Sequence, residues 1–90
     1  MITITRKQVE SVLNALEKGK VRVAYKENGE WKVNMEIKEI ILEGFRLGHI
    51  VEMSQGQFPF FDKDTFPVRK FTKEDVVRIV PGGSAVRRGA

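Results

Sequence analysis

The sequence predicts a small α+β domain in the order helix, β-hairpin, helix. Ninety residues, of which 41% are hydrophobic, can form one modest core and no more. Two segments carry apolar residues at helical spacing behind a capping residue, and between them an alternating apolar stretch is interrupted by Asn28-Gly29. Because two amphipathic helices and a one-sided hairpin can bury their apolar faces against each other, these elements predict a single layered unit.

The first helix has clear boundaries in the sequence. Thr5 precedes it, and Gln8 follows three positions later, which is the spacing of a capping box. Gly19 follows the last apolar residue and favours termination. These signals predict a helix from about Arg6 to Lys18, with an apolar stripe formed by Val9, Val12, Leu13 and Leu16.

The hairpin prediction depends on the length of its loop. A two-residue loop, Asn28-Gly29, would place Trp31 opposite Lys26 and on the other face from Tyr25. A three-residue loop that includes Glu27 would place the apolar residues of both strands on one face. Since one buried face is more stable than two partly exposed faces, we predict the three-residue loop. The predicted pairs are Tyr25 with Trp31, Val23 with Val33, and Lys26 with Glu30.

A second helix is predicted from about Met35 to Leu47. Asn34 can cap its first turn, and Gly48 follows its last turn. Its predicted inner face consists of Ile37, Ile40, Ile41 and Phe45. A short strand is indicated next by Ile50, Val51 and Met53.

The second half of the chain has weaker signals. Residues 54–70 are predicted to be extended, because their prolines prevent long regular elements. Residues 72–75 predict one helical turn with a box-like cap. Residues 77–80 predict a strand, which Pro81 ends.

The composition excludes several classes of protein. With no cysteine, the chain can form neither a disulfide framework nor a thiolate metal site. Its longest aliphatic run, Ile40-Ile41-Leu42, is too short to span a bilayer, and MITITRKQ lacks the apolar core of a signal peptide. We therefore expect a cytoplasmic protein. The net charge of +4 suits an anionic ligand, of which a nucleic acid is one example.

Most other residues that could form a functional site are explained more simply by a structural role. His49 has no second ligand type clustered near it, so a loop histidine is favoured over a metal ligand. Asp62 and Asp64 are spaced as in a solvated turn rather than a catalytic pair. Gly82-Gly83 lacks the lysine-serine or third glycine of a phosphate-binding loop and indicates a hinge. The phenylalanines of residues 58–66 lack the interleaved Arg and Lys of single-strand binders and are predicted to pack.

Arg78 is the strongest candidate for a binding residue. It is surrounded by aliphatic residues, and a charge placed there is costly unless a partner neutralises it. That partner is either an acidic residue of the same fold or the carboxylate of a ligand, since guanidinium binds carboxylate through two parallel hydrogen bonds. The sequence favours neither alternative. The surrounding residues are Val76, Val77, Ile79 and Val80.

A series of short motifs runs through nearly all ninety residues. They are Thr5-Arg6, Leu16-Glu17-Lys18-Gly19, Val21-Arg22-Val23-Ala24, Asn28-Gly29-Glu30-Trp31, Lys38, Leu42, Phe45-Arg46, Phe61-Asp62-Lys63, Arg78-Ile79-Val80-Pro81 and Val86-Arg87-Arg88-Gly89-Ala90. No single motif is decisive. Their order and spacing together resemble the N-terminal domain of the tetrahydrodipicolinate N-succinyltransferases, a family of the diaminopimelate route to lysine.

The resemblance implies that a left-handed β-helix follows this domain. Such a helix is built from hexapeptides that each contribute a short strand with an inward aliphatic residue, and solenoid coils are stable only in arrays. Residues 86–90 are similar to the first coil, with Val86 as the inward residue. The implied organisation is an N-terminal α+β domain over residues 1–75, followed over residues 76–90 by a linker strand and the start of the hexapeptide β-helix.

The resemblance also implies an activity for the full-length protein. A homotrimer is expected to transfer succinyl from succinyl-coenzyme A to the amino group of ring-opened tetrahydrodipicolinate, with Arg78 binding the dicarboxylate substrate. Catalytic and coenzyme-binding residues are expected beyond Ala90, and no cofactor or metal is expected on these ninety residues. The fragment alone should therefore lack transferase activity.

Three other functions stay open as alternatives. An acetyl-transferring relative would differ in its donor, which this part of the chain does not specify. A free-standing basic module for nucleic acid would neutralise phosphates with Arg87, Arg88 and nearby lysines. The scattered acids and the lack of a nucleic-acid-binding motif make that hypothesis weaker. A structural cap over the end of a solenoid is compatible with the enzyme.

Overall fold

The computed structural model describes residues 3–90, which form two helices, two β-hairpins and a closing segment. The two antiparallel hairpins are separate sheets, and the α+β class predicted from the sequence is confirmed. Neither helix within residues 3–90 has the length and apolar character needed to cross a membrane. The elements in chain order are α1 (Arg6–Glu17), β1 (Ala24–Glu27), β2 (Glu30–Val33), α2 (Met35–Leu47), β3 (Ile50–Glu52), β4 (Phe61–Lys63) and a 3₁₀ turn (Lys73–Asp75).

Helix α1 is capped at both ends as its sequence predicts. The Gln8 N–H donates to the Thr5 hydroxyl oxygen at 3.3 Å, and the Thr5 N–H donates to the Gln8 side chain at 2.8 Å. These two bonds complete the capping box. At the other end Gly19 has a φ of +72°, and its N–H and that of the next residue donate to carbonyls in the last turn. Glycine adopts this left-handed conformation without strain, which ends the helix.

Helix α2 has the predicted limits, and three of its four predicted inner residues are buried or half-buried. Its first turn is capped by Asn34, whose Oδ1 accepts from the Ile37 N–H at 3.3 Å. Ile37 is buried, and Ile40 and Ile41 are half-buried. Phe45 is more exposed than predicted, but its ring stacks on Phe66 with the ring centroids 4.4 Å apart.

The core forms where α1 packs on α2 and where Phe66 covers both helices. Val9, Leu13 and Phe66 are buried together in one cluster. Gly44 allows this close approach, because a Cβ there would lie 2.9 Å from Val9 Cγ1 and 2.8 Å from Phe66 Cζ. The core therefore depends on one aromatic ring from outside the two helices.

The loop of the first hairpin is shorter than predicted. Asn28-Gly29 forms a two-residue loop with φ values of +51° and +81°, and Lys26 pairs with Trp31. Both strands are exposed throughout, so no buried face selects the register. The preference of Asn-Gly for positive φ decides the register instead. The three-residue loop is therefore wrong, and so are the pairs predicted with it, namely Tyr25–Trp31, Val23–Val33 and Lys26–Glu30.

The second hairpin was predicted only in part. The short strand around Ile50 is confirmed as β3, but its partner β4 lies in the segment predicted to be merely extended. Val51 lies opposite Asp62 in this pair. Strands of three residues are too short for an alternating pattern to reveal them.

The chain after the second hairpin differs most from the prediction. The helical turn predicted over residues 72–75 is confirmed as the 3₁₀ turn, and the Thr72 N–H donates to the Asp75 carboxylate at 2.8 Å. The strand predicted over residues 77–80 is not formed, because these residues have no strand partner within the described part of the chain. Their aliphatic side chains are exposed instead.

Candidate functional site

A loop of residues 70–85 carries Arg78 near its midpoint. Its two ends are held together by antiparallel pairing of residues 67–69 with residues 86–88. We call these paired residues the neck and residues 70–85 the Arg78 loop. The loop is thus closed at its base.

Two backbone hydrogen bonds close the neck. The Arg69 N–H donates to the Val86 carbonyl at 2.7 Å, and the Arg88 N–H donates to the Pro67 carbonyl at 2.9 Å. The two bonds flank a single bridged pair of residues. This arrangement fixes the distance and the direction between the two ends of the Arg78 loop.

One face of the neck is attached to the second hairpin and the core by Arg87. Its Nη2 lies 2.7 Å from Asp62 Oδ2, and its Nη1 donates to the Phe66 carbonyl at 3.0 Å. The same nitrogen lies 3.4 Å from the Met53 sulfur. Arg87 therefore links the neck to β4 and to the core, and Asp62 is its ion-pair partner.

The opposite face of the neck is attached to α1 by Glu17. Its Oε1 accepts from Arg88 Nε at 2.7 Å and from the Gly89 N–H at 3.0 Å, and it lies 3.9 Å from Arg69 Nε. Asn14 accepts a further hydrogen bond from Arg88. The hydrogen bond from Arg88 lowers the pKa of Glu17 below its ordinary value of 4.5, although partial burial opposes the shift. Glu17 is therefore charged at neutral pH.

Gly89 allows the end of the described chain to pack against α1. Its φ is +95°, and a Cβ at this position would lie 2.7 Å from Leu13 Cδ2. The β-helix coil expected to begin at Val86 stays a prediction. Residues 86–89 are half-buried on the domain, where the neck and Glu17 hold them.

The Arg78 side chain is exposed and, within residues 3–90, takes part in no hydrogen bond or ion pair. The internal salt bridge that the sequence left open is therefore not formed. Arg22 is likewise exposed without an acidic partner. The five arginines that are paired with acids are Arg6 with Asp64, Arg46 with Glu43, Arg69 and Arg88 with Glu17, and Arg87 with Asp62.

The backbone on both sides of Arg78 is unusual. Val76 has a φ of +55°, which is rare for a β-branched residue and is a strained conformation. Gly82 and Gly83 form a turn with φ values of +117° and +113°, which glycine adopts freely. The segment that carries Arg78 therefore lies between a strained residue and a glycine turn.

The remaining candidates lie in loops or at the surface. His49 is an exposed loop residue, and residues 3–90 contain no group of three or more His, Asp or Glu side chains that could hold a metal ion. The His49 N–H donates to Asp64 Oδ1 at 2.9 Å, and Arg6 Nη1 lies 3.1 Å from the same oxygen. These contacts, chiefly the His49 N–H, lower the pKa of Asp64. The rings of Phe58 and Phe60 stack on each other at the surface.

The role of Glu17 could not be found from the sequence. Its partner Arg88 is 71 positions away, and no local spacing connects the two residues. The only signal is indirect, because Glu17 follows the last apolar residue of α1 and belongs to one of the motifs shared with the resembling family.

Comparison with known proteins agrees with the resemblance. The family described as tetrahydrodipicolinate N-succinyltransferase N-terminal matches residues 2–47, about half of the chain. A relative from Nitrosococcus oceani is 42% identical over 98% of this chain and 33% of its own length. Relatives from Ralstonia pickettii and Shewanella amazonensis are 40% and 35% identical, each over 94% of this chain and 32% of their own length.

All three relatives are named 2,3,4,5-tetrahydropyridine-2,6-dicarboxylate N-succinyltransferase. This chain spans about a third of the length of the curated relatives it matches. The family match, residues 2–47, covers both α1 and α2 and so includes the part of the core that the two helices contribute. The chain therefore belongs to the tetrahydrodipicolinate N-succinyltransferase N-terminal family.

Proposed function

We propose that this chain is the N-terminal domain of an enzyme that transfers a succinyl group from succinyl-coenzyme A to ring-opened tetrahydrodipicolinate. The shared name of the relatives supports this activity, and the length match supports a domain that is one third of the enzyme. In the proposed enzyme, residues 1–75 form the N-terminal domain and residues 76–90 lead into a left-handed β-helix. The proposed assembly is a cytoplasmic homotrimer whose coenzyme-binding and catalytic residues lie outside these ninety residues.

The residue of this chain that we assign to the substrate is Arg78. Within residues 3–90 two arginines, Arg22 and Arg78, have no acidic partner, since the other five are bound to acids of the fold. The observation that carries the assignment is that Arg78, unlike Arg22, lies in the loop that the neck closes. An exposed guanidinium at the midpoint of a closed loop can form two parallel hydrogen bonds with a carboxylate. The proposed substrate has two carboxylates, so binding one of them leaves the rest of the molecule free to enter the catalytic site.

The proposed role of Arg78 is to bind and orient rather than to make bonds. In the reaction the amino group of the acceptor attacks the thioester carbonyl, and coenzyme A leaves as the thiol. Holding the acceptor by its carboxylate reduces the freedom that the amine must lose before it reacts. Arg78 thus contributes to the affinity for the dicarboxylate and to its orientation.

No observation favours the alternative of a nucleic-acid-binding module. That hypothesis relies on Arg87 and Arg88 to neutralise phosphates. Both guanidinium groups are bound to acids of the domain, Arg87 to Asp62 and Arg88 to Glu17. Releasing them for phosphate would break the attachment of the neck.

The assignment of Arg78 is tested by steady-state kinetics of the full-length enzyme. Arg78→Ala should raise the KM for the dicarboxylate roughly tenfold to hundredfold, because hydrogen bonds to a charged group contribute about 1.5–3 kcal/mol. The KM for succinyl-coenzyme A should stay unchanged. Arg22→Ala is the matched control, since Arg22 is also an exposed arginine without an acidic partner. An equal rise of both KM values would assign Arg78 a structural role instead.

A second measurement tests the division of the enzyme. The purified ninety-residue chain should show no transfer of succinyl to the acceptor, because the groups that bind the coenzyme are proposed to lie elsewhere. A measurable rate from this chain alone would contradict the proposal.

A further inference from the structure

We propose that Glu17 is a positioning residue, which holds the neck closed and thereby fixes where Arg78 is presented to the dicarboxylate. This inference rests on the proposed function, because it assigns Glu17 a role that acts through Arg78. It concerns a residue at the end of α1, far along the sequence from the loop that it controls.

A single carboxylate oxygen of Glu17 contacts both chain segments of the neck, the incoming residues 67–69 and the outgoing residues 86–88. On the outgoing side it accepts from Arg88 Nε at 2.7 Å and from the Gly89 N–H at 3.0 Å. On the incoming side it lies 3.9 Å from Arg69 Nε. Because one oxygen serves both sides, the neck cannot separate without losing a contact to Glu17.

The anchor belongs to an element of the core. Glu17 is the last residue of α1, and the same helix places Val9 and Leu13 in the buried core. The Glu17 side chain is only 18% exposed, so the ion pairs are screened less than pairs on an open surface. Movements of the neck relative to the core are therefore opposed at Glu17.

The charge of Glu17 is required as well as its hydrogen bonds. Three arginines lie on the neck, and of these Arg87 is neutralised by Asp62. Arg69 and Arg88 share Glu17 as their acidic partner. Without that charge two guanidinium groups on opposite sides of the neck would repel each other.

The Arg78 loop has little other support. Its aliphatic residues 76, 77, 79 and 80 are between 39% and 88% exposed, so the loop does not pack on the core through them. On the incoming side, Arg69 lies over the ring of Phe71 at 4.7 Å from its centroid, which adds one contact next to the neck. The direction of the loop is therefore set at the neck. The neck is held by Arg87 on one face, by the hydrogen bond that Arg69 donates to the Ala90 carbonyl, and by Glu17, which alone contacts both of its chain segments from α1.

The test compares Glu17→Gln with the wild-type full-length enzyme in two measurements. Hydrogen exchange reports the neck directly, through the amides of Arg69 and Arg88 that donate across it. Kinetics report the position of Arg78. We expect at least tenfold faster exchange of these two amides, a KM for the dicarboxylate that rises severalfold, and an unchanged KM for succinyl-coenzyme A.

Three controls separate positioning from loss of fold. The amide of Leu13 in the core should exchange at the wild-type rate. A variant that merely unfolds in part would lose kcat without a change in KM, because less enzyme would be active. Glu43→Gln removes another glutamate that pairs with an arginine, Arg46, and should leave the neck and both KM values unchanged. Glu17→Asp keeps the charge but shortens the side chain, so its KM for the dicarboxylate should be intermediate.

The outcomes distinguish this inference from the proposed function. If Arg78→Ala raises the KM for the dicarboxylate but Glu17→Gln does not, the positioning role is overturned and the proposed function stands. Unchanged exchange at Arg69 and Arg88 in Glu17→Gln also overturns it. If Arg78→Ala itself has no effect on that KM, the substrate role of Arg78 fails first, and the role of Glu17 fails with it.

Discussion

Two regions of the domain are rich in apolar residues: the core around Phe66, and the Arg78 loop. The core buries its apolar side chains, whereas the loop leaves its apolar side chains exposed. Val9 and Phe66 are 1% and 6% exposed, whereas Val76 and Val80 are 88% and 61% exposed. In the core, each side chain has helices or a ring packed against it. In the loop, as far as residues 3–90 show, the backbone is held mainly at the neck, by polar contacts. Apolar residues thus stabilise this domain only where packing partners exist, and the loop is positioned by ion pairs instead.

The largest expected effect comes from removing the ring that joins the two helices. Phe66→Ala should lower the free energy of unfolding of the ninety-residue chain by about 3–5 kcal/mol, because it removes buried surface and leaves a cavity. The measurement is urea denaturation followed by circular dichroism. Phe58→Ala is the control, since Phe58 is 62% exposed and should cost less than about 1 kcal/mol. Equal losses for the two variants would contradict the distinction between core and surface rings.

An intermediate effect is expected from acid, and it should act on the neck before the core. The pKa of Glu17 is lowered in the folded protein, chiefly by the hydrogen bond from Arg88. The stabilisation by Glu17 is therefore fully present above the ordinary glutamate value of 4.5 and is lost as the pH falls through the lower folded value.

Hydrogen exchange of the Arg69 and Arg88 amides, corrected for the intrinsic rate, measures this effect. Protection should be constant from pH 7 to about pH 5 and should fall at lower pH. In Glu17→Gln the protection of these two amides should already be lower at pH 7. It should not show the further fall that the wild type shows below about pH 5. Loss of protection in the wild type already between pH 7 and pH 5 would mean that a different group controls the neck.

The smallest expected effect comes from the exposed aliphatic residues of the loop. Val80→Ser should change the free energy of unfolding of the ninety-residue chain by no more than about 0.5 kcal/mol, because the side chain has little packing to lose. Denaturation under the conditions used for Phe66→Ala measures this difference. A loss approaching that of Phe66→Ala would show that the loop packs on the domain.

The parts of the fold that the sequence predicts are those that depend on near neighbours. Thr5 with Gln8 and Asn34 with Ile37 lie three positions apart, and both helices begin where these pairs indicate. The register of the first hairpin was predicted wrongly because the argument assumed a buried face, and no such face exists. A local rule, the preference of Asn-Gly for a two-residue loop, would have given the correct register.

The parts that could not be predicted depend on distant contacts. Arg78 was identified as a candidate because a charge among aliphatic residues is conspicuous in the sequence, but its position at the midpoint of a closed loop was not. The neck pairs residues 67–69 with residues 86–88, and its anchor Glu17 is 71 positions from Arg88. Pairing over such distances leaves no periodic signal in a short segment. The strand predicted over residues 77–80 is absent for the related reason that a strand needs a neighbour.

Because the neck is closed, the length of the loop can change with little effect on the free energy of unfolding of the domain. We expect residues inserted or deleted between positions 70 and 85 to leave in place the pairing of residues 67–69 with residues 86–88. Doubling the length of such a loop costs only about 0.6 kcal/mol in closure entropy. We therefore expect that altering the loop alone would change the reach of Arg78 toward the proposed acceptor, without rebuilding the helices that carry the loop.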